Sequence, residues 1–288
     1  MVVSMFLTNR YRIALLAVVL AAGCGVQGSE STPAPESQAT HLANAGVLVA
    51  HGDTKIVFDP LYRNDYGTYR LLPDSLERAL FAGDPPFDGI DAVLVSHYHG
   101  DHFSAVDILR LLQEHPEMHL YAPAQAVAEM REIADEARDE IFERVTSIDL
   151  DYKESPVTIE SGPLVVEAVR IPHSGWPERR LDVENIAFRV TLDDETTVLH
   201  LGDADTKDVH FEGDASFWAA RPADMAFPPY WYFDSEDGRT VLEERLKPRS
   251  AVGVHVPVEM PSDVAERPAA FQNRDLFTKP GETRSIPE

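Results

Sequence analysis

Between Ser96 and His102 the chain runs Ser-His-Tyr-His-Gly-Asp-His, with three imidazoles and a carboxylate in its last six residues. Imidazole nitrogen and carboxylate oxygen, with no thiolate on offer, are ligands suited to Zn²⁺, and less so to Mn²⁺ or Fe. The apolar run Ala92-Val93-Leu94-Val95 ahead of the segment predicts a short buried strand, and Ser104 onward predicts a helix. His97 and His99 therefore fall where a strand opens into a loop. Two residues apart in extended chain, their side chains project to one side and can meet a single ion, while Asp101 and His102 follow across the turn toward a second. At this chain's own His and Asp frequencies the pattern His-x-His-x-Asp-His arises by chance on the order of once in a thousand such chains. Incidental histidines in a polar loop are thus the weaker reading.

The segment resembles the metal-binding motif of the metallo-β-lactamase superfamily, a motif specific for the superfamily and unspecific for the reaction. The resemblance runs from about residue 42 to 286 and implies an α/β fold, an αββα sandwich of two mixed β-sheets flanked by helices. It extends to His173 in Pro172-His173-Ser174-Gly175 after a predicted strand, to Asp203 after Leu201-Gly202, and to His255 after the strand Ala251-Val252-Gly253-Val254. On that resemblance one metal takes His97, His99 and His173, a second takes Asp101, His102 and His255, and Asp203 bridges them. Asp59, ahead of Pro60, is implied to support the metal loop without binding metal. His200 is a further supporting candidate because it lies on the strand leading to Asp203. Asp205 competes with Asp203, but its register after the glycine does not match, and His115, His119 and His210 have no motif match.

The implied chemistry is a dinuclear zinc site, two ions per chain. A bridging hydroxide, oriented by Asp101, would attack an ester, lactone or phosphodiester of a small or lipid-like substrate. No Cys stands among the matching positions, unlike the zinc β-lactamases that use one, and no acid replaces His99, unlike the superfamily's oxygen-reducing di-iron proteins. Two other readings stay open: an iron-dependent oxidoreductase resembling the sulfur dioxygenases, and a non-catalytic ligand-binding lipoprotein.

The elements that must position these groups follow the chain. Ala45 to Asp59 predicts a hairpin of about 46–50 and 55–58 around His51-Gly52-Asp53. Leu61 to Ile90 is an insertion with Tyr62, Arg63, Tyr66, Tyr69 and Arg70, then a short helix at Asp74 to Phe81. Long connections of this kind are more often functional than idle, and Arg63 and Arg70 are candidates to hold a substrate carboxylate or phosphate. Ser104 and Asp107 have the spacing of a capping box for a helix through Gln113, and Pro123 to Val145 predicts one longer amphipathic helix. Strands are expected at 157–159, 164–171, 186–192, 197–201, 224–227 and 251–254. Pro228 to Phe233 reads as an aromatic loop in which Tyr230 and Trp231 could wall a pocket. A helix is expected at Glu236 to Leu246, and an edge strand within Phe277 to Ile286.

The 288 residues, 44% of them hydrophobic, suffice for one large domain. A formal net charge of −24 repels polyanions, so nucleic acid is a poor partner. Cys24 is the one cysteine. It follows Arg10 and Arg12, an apolar stretch from Ile13 to Ala22 and the small residues Ala21-Ala22-Gly23, which together resemble a bacterial lipoprotein signal. The expected organisation is a signal peptide at 1–23, a flexible tether at 24–39 that begins with a lipidated Cys24, and a catalytic domain at 40–288. That implies an exported protein on the periplasmic face of an outer membrane or the outer face of the cell membrane. Nothing in the sequence bears on oligomeric state.

Overall fold

The computed structural model describes residues 36–287. Among these residues, no helix is long and apolar enough to cross a membrane. The amino-terminal half builds one sheet from β1 (Ser37–Ala43), β2 (Gly46–His51), β3 (Thr54–Phe58), β4 (Ala92–Leu94), β5 (His119–Pro123) and β6 (Val145–Ile148). The second half supplies β7 (Val157–Ser161), β8 (Leu164–Arg170), β9 (Ile186–Leu192), β10 (Thr196–His200), β11 (Met225–Phe227), β12 (Ser250–Gly253) and β13 (Asp275–Leu276). The last strand, β14 (Thr283–Ser285), crosses back to pair with β1. The two mixed sheets have the orders β14-β1-β2-β3-β4-β5-β6 and β13-β12-β11-β10-β9-β8-β7.

Strand periodicity explains the layers. Val47, Val49, Ile56, Phe58, Ala92 and Leu94 face the other sheet, where they meet Ile186, Phe188 and Val190. The alternate residues Leu48, Val57, Val93 and Val95 face outward under α1 (Asp74–Ala82), α2 (Ala105–Glu114) and α3 (Ala124–Ile133). Both faces of the sheet are covered, which is why Ala92 to Val95 is apolar throughout rather than alternating. The outer face of the second sheet, with Ala187, Leu199 and Ala226, is covered by α4 (Ala215–Ala220), α5 (Trp231–Asp234) and α6 (Glu236–Thr240), the last continuing as a π-helical turn, Val241–Leu246. The result is the αββα sandwich.

Several local expectations are corrected. β1 begins at Ser37, so Ser37 to Ala39, which their composition places in the tether, belong to the sheet and pair with Val49 to His51. Ser104 makes no capping bond to backbone; its hydroxyl bonds Asp107 at 2.5 Å, and that carboxylate is committed to Arg63. The helix from Pro123 stops at Ile133 and is followed by a 3₁₀ segment, Glu136–Arg144, because the chain must return to pair Val145 with Leu120. The aromatic loop after Pro229 closes into α5.

Candidate metal centre

Every element that carries a matching residue delivers it at the same end of the sandwich. β4 leads to the loop of His97, His99, Asp101 and His102, while β8, β10 and β12 end just before His173, Asp203 and His255. The first sheet contributes four of these residues and the second sheet three. Five of them are nearly inaccessible and Asp203 is also buried, while His99 is the half-exposed member.

Asp203 joins the groups. Its Oδ2 lies 3.3 Å from His173 Nε2, while Oδ1 lies 3.2 Å from both His102 Nε2 and His255 Nε2. His255 Nε2 is also 3.1 Å from Asp101 Oδ2. The donor atoms of His97, His99 and His173 lie within 4.8 Å of one another, as do those of His102, Asp203 and His255. His102 Nε2, His173 Nε2 and Asp203 Oδ1 are buried with no hydrogen-bond partner. Buried polar atoms left unpaired are costly, so convergent lone pairs of this kind fit a cation or two.

The supporting groups fix which ring nitrogens face the centre. Asp59, wholly buried, accepts from Ser96 N (2.7 Å), Ser96 Oγ (2.6 Å) and His102 Nδ1 (2.8 Å). With its own proton given to Asp59, Ser96 Oγ accepts from His97 Nδ1 at 3.0 Å. Both imidazoles then carry their proton on Nδ1 and turn the Nε2 lone pair inward. His200 acts one step back: its Nε2 donates to Ala45 O, and its Nδ1 accepts from Gly202 N. Gly202 has φ +55°, and a Cβ there would run into Asn185 Oδ1 and the Ser96 side chain, so only glycine lets β10 pass this close to the metal loop.

Two asparagines escaped sequence reasoning. Asn44 donates to Asp101 O (2.8 Å) and accepts from His255 N (3.0 Å) through its own carbonyl, clamping two residues of the second set. Asn185 accepts from Asp203 N (2.8 Å) and donates to Ile171 O and Leu201 O, which ties the His173 and Asp203 loops together. Neither has a local sequence signal, since their partners are 14 or more positions away.

The cavity over these groups measures about 400 Å³ and is walled by Tyr66, Thr68, Tyr69, Ser174, Arg180 and Trp231. Trp231 thus stands where expected, but Tyr230 packs behind it on Phe271 and is not part of the wall. Arg63 and Arg70 are corrected as well. Arg63 forks onto Asp107 and Glu77, pinning the insertion to α1 and α2. Arg70 donates to Thr278 O and Val258 O and holds the carboxy-terminal segment. Asp205 is occupied with Gly175 N, Lys207 N and His210. A larger groove of about 540 Å³ lies along α1 and α2, but among the described residues its walls hold no convergent ligand set.

In the metal-free protein, burial holds His97 well below the ordinary histidine value and His99 down at about 4. At His102 burial also disfavours the charge, but Asp203 and Asp101 outweigh it and hold the group well above 6.5. As pH falls from 6.5 to about 4 the unfolded chain takes up protons that folded His97 and His99 refuse, so their effect is to lower stability with acidification. His102 acts in the opposite sense: its stabilisation is complete below 6.5 and is lost as pH rises through its folded value. The expected result, from thermal unfolding with chelator present, is a stability maximum near pH 6.5. A midpoint climbing steadily from pH 6.5 down to 4 would contradict it.

The beta-lactamase superfamily domain model matches residues 54–262, well over half of the chain. The chain belongs to the metallo-β-lactamase superfamily. The chain is 35% identical to the UPF0173 protein YddR of Bacillus subtilis over 75 residues, 23% of this chain and 29% of that protein. The matches to curated relatives span only 24% to 37% of those relatives' lengths. Among solved structures, the metallo hydrolase Igni18 from the archaeon Ignicoccus hospitalis superposes with a TM-score of 0.58 at 15% identity, over 88% of this chain and 99% of that one. An isothiocyanate hydrolase from Delia radicum gut bacteria gives 0.55 at 16% identity, over 86% and 99%. At such identities the likeness is one of fold, and the metallo-β-lactamase sandwich is what is shared.

Proposed function

We propose that the protein is a dinuclear, zinc-dependent hydrolase acting on an ester, lactone or phosphodiester of a small molecule. The observation that carries this reading is the placement of Asp203, whose two carboxylate oxygens face two separate histidine sets. His97, His99 and His173 would hold one ion, Asp101, His102 and His255 the other, with Asp203 shared. Two bound zinc ions supply a polarising charge for a substrate oxygen and a water acidic enough to attack at neutral pH.

The remaining work falls to the chain's own side chains. Burial would raise Asp101, but His102 and His255 keep it ionised, so it can accept a hydrogen bond from an attacking water. Tyr69 packs edge-on against the His255 ring, at 4.0 Å between centroids. Burial first, then Asp203, pushes its phenol up, so it stays protonated and can donate to the substrate. Trp231 packs edge-on against His255 at 5.2 Å in the same wall and would limit the water that reaches the reacting groups. The test is metal analysis of purified, metal-replete protein, followed by turnover of esters, lactones and phosphodiesters. Less than about one transition metal per chain would overturn the reading.

We also infer that the domain is exported and lipid-anchored at Cys24, which lies outside the described residues. The positive start, apolar stretch and small-residue site before that lone cysteine support this. Cys24→Ser is expected to move the protein from the membrane to the soluble fraction of the native host. Equal membrane retention of the processed variant would rule out lipidation as the anchor.

A further inference from the structure

Among the described residues, Arg180 is the one lysine or arginine in the wall of the metal cavity. It lies on the connection between His173 and β9, at φ +60°. Among the described residues its side chain makes one hydrogen bond, from Nη1 to Ser174 O at 3.3 Å, and pairs with no carboxylate. Arg63, Arg189, Arg245 and Arg284, by contrast, each close a two-point fork on a carboxylate, and Arg70 and Arg144 spend several donors on backbone carbonyls. The same Ser174 carbonyl also accepts from His173 Nδ1 at 3.0 Å, so the guanidinium stands one peptide group away from the metal-facing ring.

We propose that Arg180 recognises the substrate, holding an anionic group, carboxylate or phosphate, while the bond to be cleaved lies over Asp203. This rests on the hydrolase reading and adds the substrate class. A guanidinium with most of its N–H donors free matches the two oxygens of a carboxylate or phosphate in a planar fork. Asp101 and Asp203 line the same cavity, and with zinc ions held there the site would be net positive, so Arg180 adds a second cationic point that can hold a ligand's anion while the bond to be cleaved lies at the metal-holding groups. The acidic surface repels anions at long range, which leaves this local cation to decide between charged and neutral candidates. A cavity of about 400 Å³ suits a small molecule rather than a polymer.

The test compares 4-nitrophenyl hemisuccinate, which carries a carboxylate, with the neutral 4-nitrophenyl butyrate in the metal-replete full chain. Arg180→Gln should lower the anionic-to-neutral ratio of kcat/KM by about tenfold or more, chiefly through KM of the anionic ester. Arg180→Lys should fall between, because it keeps the charge and loses the fork, and Arg179→Gln, outside the cavity wall, should leave the ratio where it is. A ratio unmoved in Arg180→Gln, or moved as far by Arg179→Gln, overturns the proposal. Calorimetry with glutarate and with phenyl phosphate separates it from the reading beneath it. If wild type cleaves neither ester but binds one of these anions, and Arg180→Gln does not, the ester-hydrolase reading fails and the anion site stands, with the bound probe naming carboxylate or phosphate. Binding that is absent in wild type, or equal in both proteins, overturns the anion site.

Discussion

The His97→Ala, His99→Ala double variant is expected to fold, to bind at least one metal ion fewer than wild type, and to lose turnover by roughly 10³-fold or more, the scale of a lost Lewis acid and activated water. These two residues supply two of the three imidazoles in the first set, and His97 also packs 4.1 Å from the His102 ring, so the second set is disturbed as well. Folding should survive, because the metal-free site already holds both rings against their preference for the charged, solvated state. Metal content, circular dichroism and turnover measured on one preparation check the three parts together. Activity equal to wild type would move the chemistry to another part of the molecule.

Asp59→Asn should have the next largest effect, although Asp59 touches no metal. The carboxylate accepts three hydrogen bonds, and an amide of the same shape must present an N–H to at least one of those donors. If that N–H faces His102 Nδ1, the ring has to accept there and carry its proton on Nε2, the atom turned toward the cavity. Ser96 Oγ, no longer donating to a carboxylate, can donate to His97 Nδ1 and invert that ring too. The expected outcome is a metal affinity lower by about 10- to 100-fold, the usual scale for losing a group that orients a ligand. Competition against a calibrated chelator measures it, and ¹⁵N chemical shifts of the imidazoles report the tautomers. Unchanged affinity with unchanged tautomers would show that Asp59 serves packing alone.

How much of this was legible depends on the range over which each residue acts. His97 to His102 could be read because one strand end and one turn place all four candidate ligands within six residues. His173, Asp203 and His255 each stand at a strand end, but nothing in their own surroundings separates them from His210, which spends itself on Tyr152 and Asp205. Only the motif order distinguished them. Arg63 and Arg180 show the limit of composition: both are arginines in polar loops, and what divides them is Asp107, 44 positions from Arg63, and the absence of any such partner beside Arg180 among the described residues. The break after Ile133 was likewise hidden, because it is imposed by the pairing of β6 with β5 and not by a helix-breaking residue.

β1 starts at Ser37, which pairs with His51 at the far end of the first sheet, and it finishes at Ala43, next to the Asn44 that grips Asp101 and His255. The chain therefore enters the domain at the pole opposite the cavity. A change made at Ser37 therefore reaches Asp101 and His255 only through the length of β1 and the Asn44 at its other end.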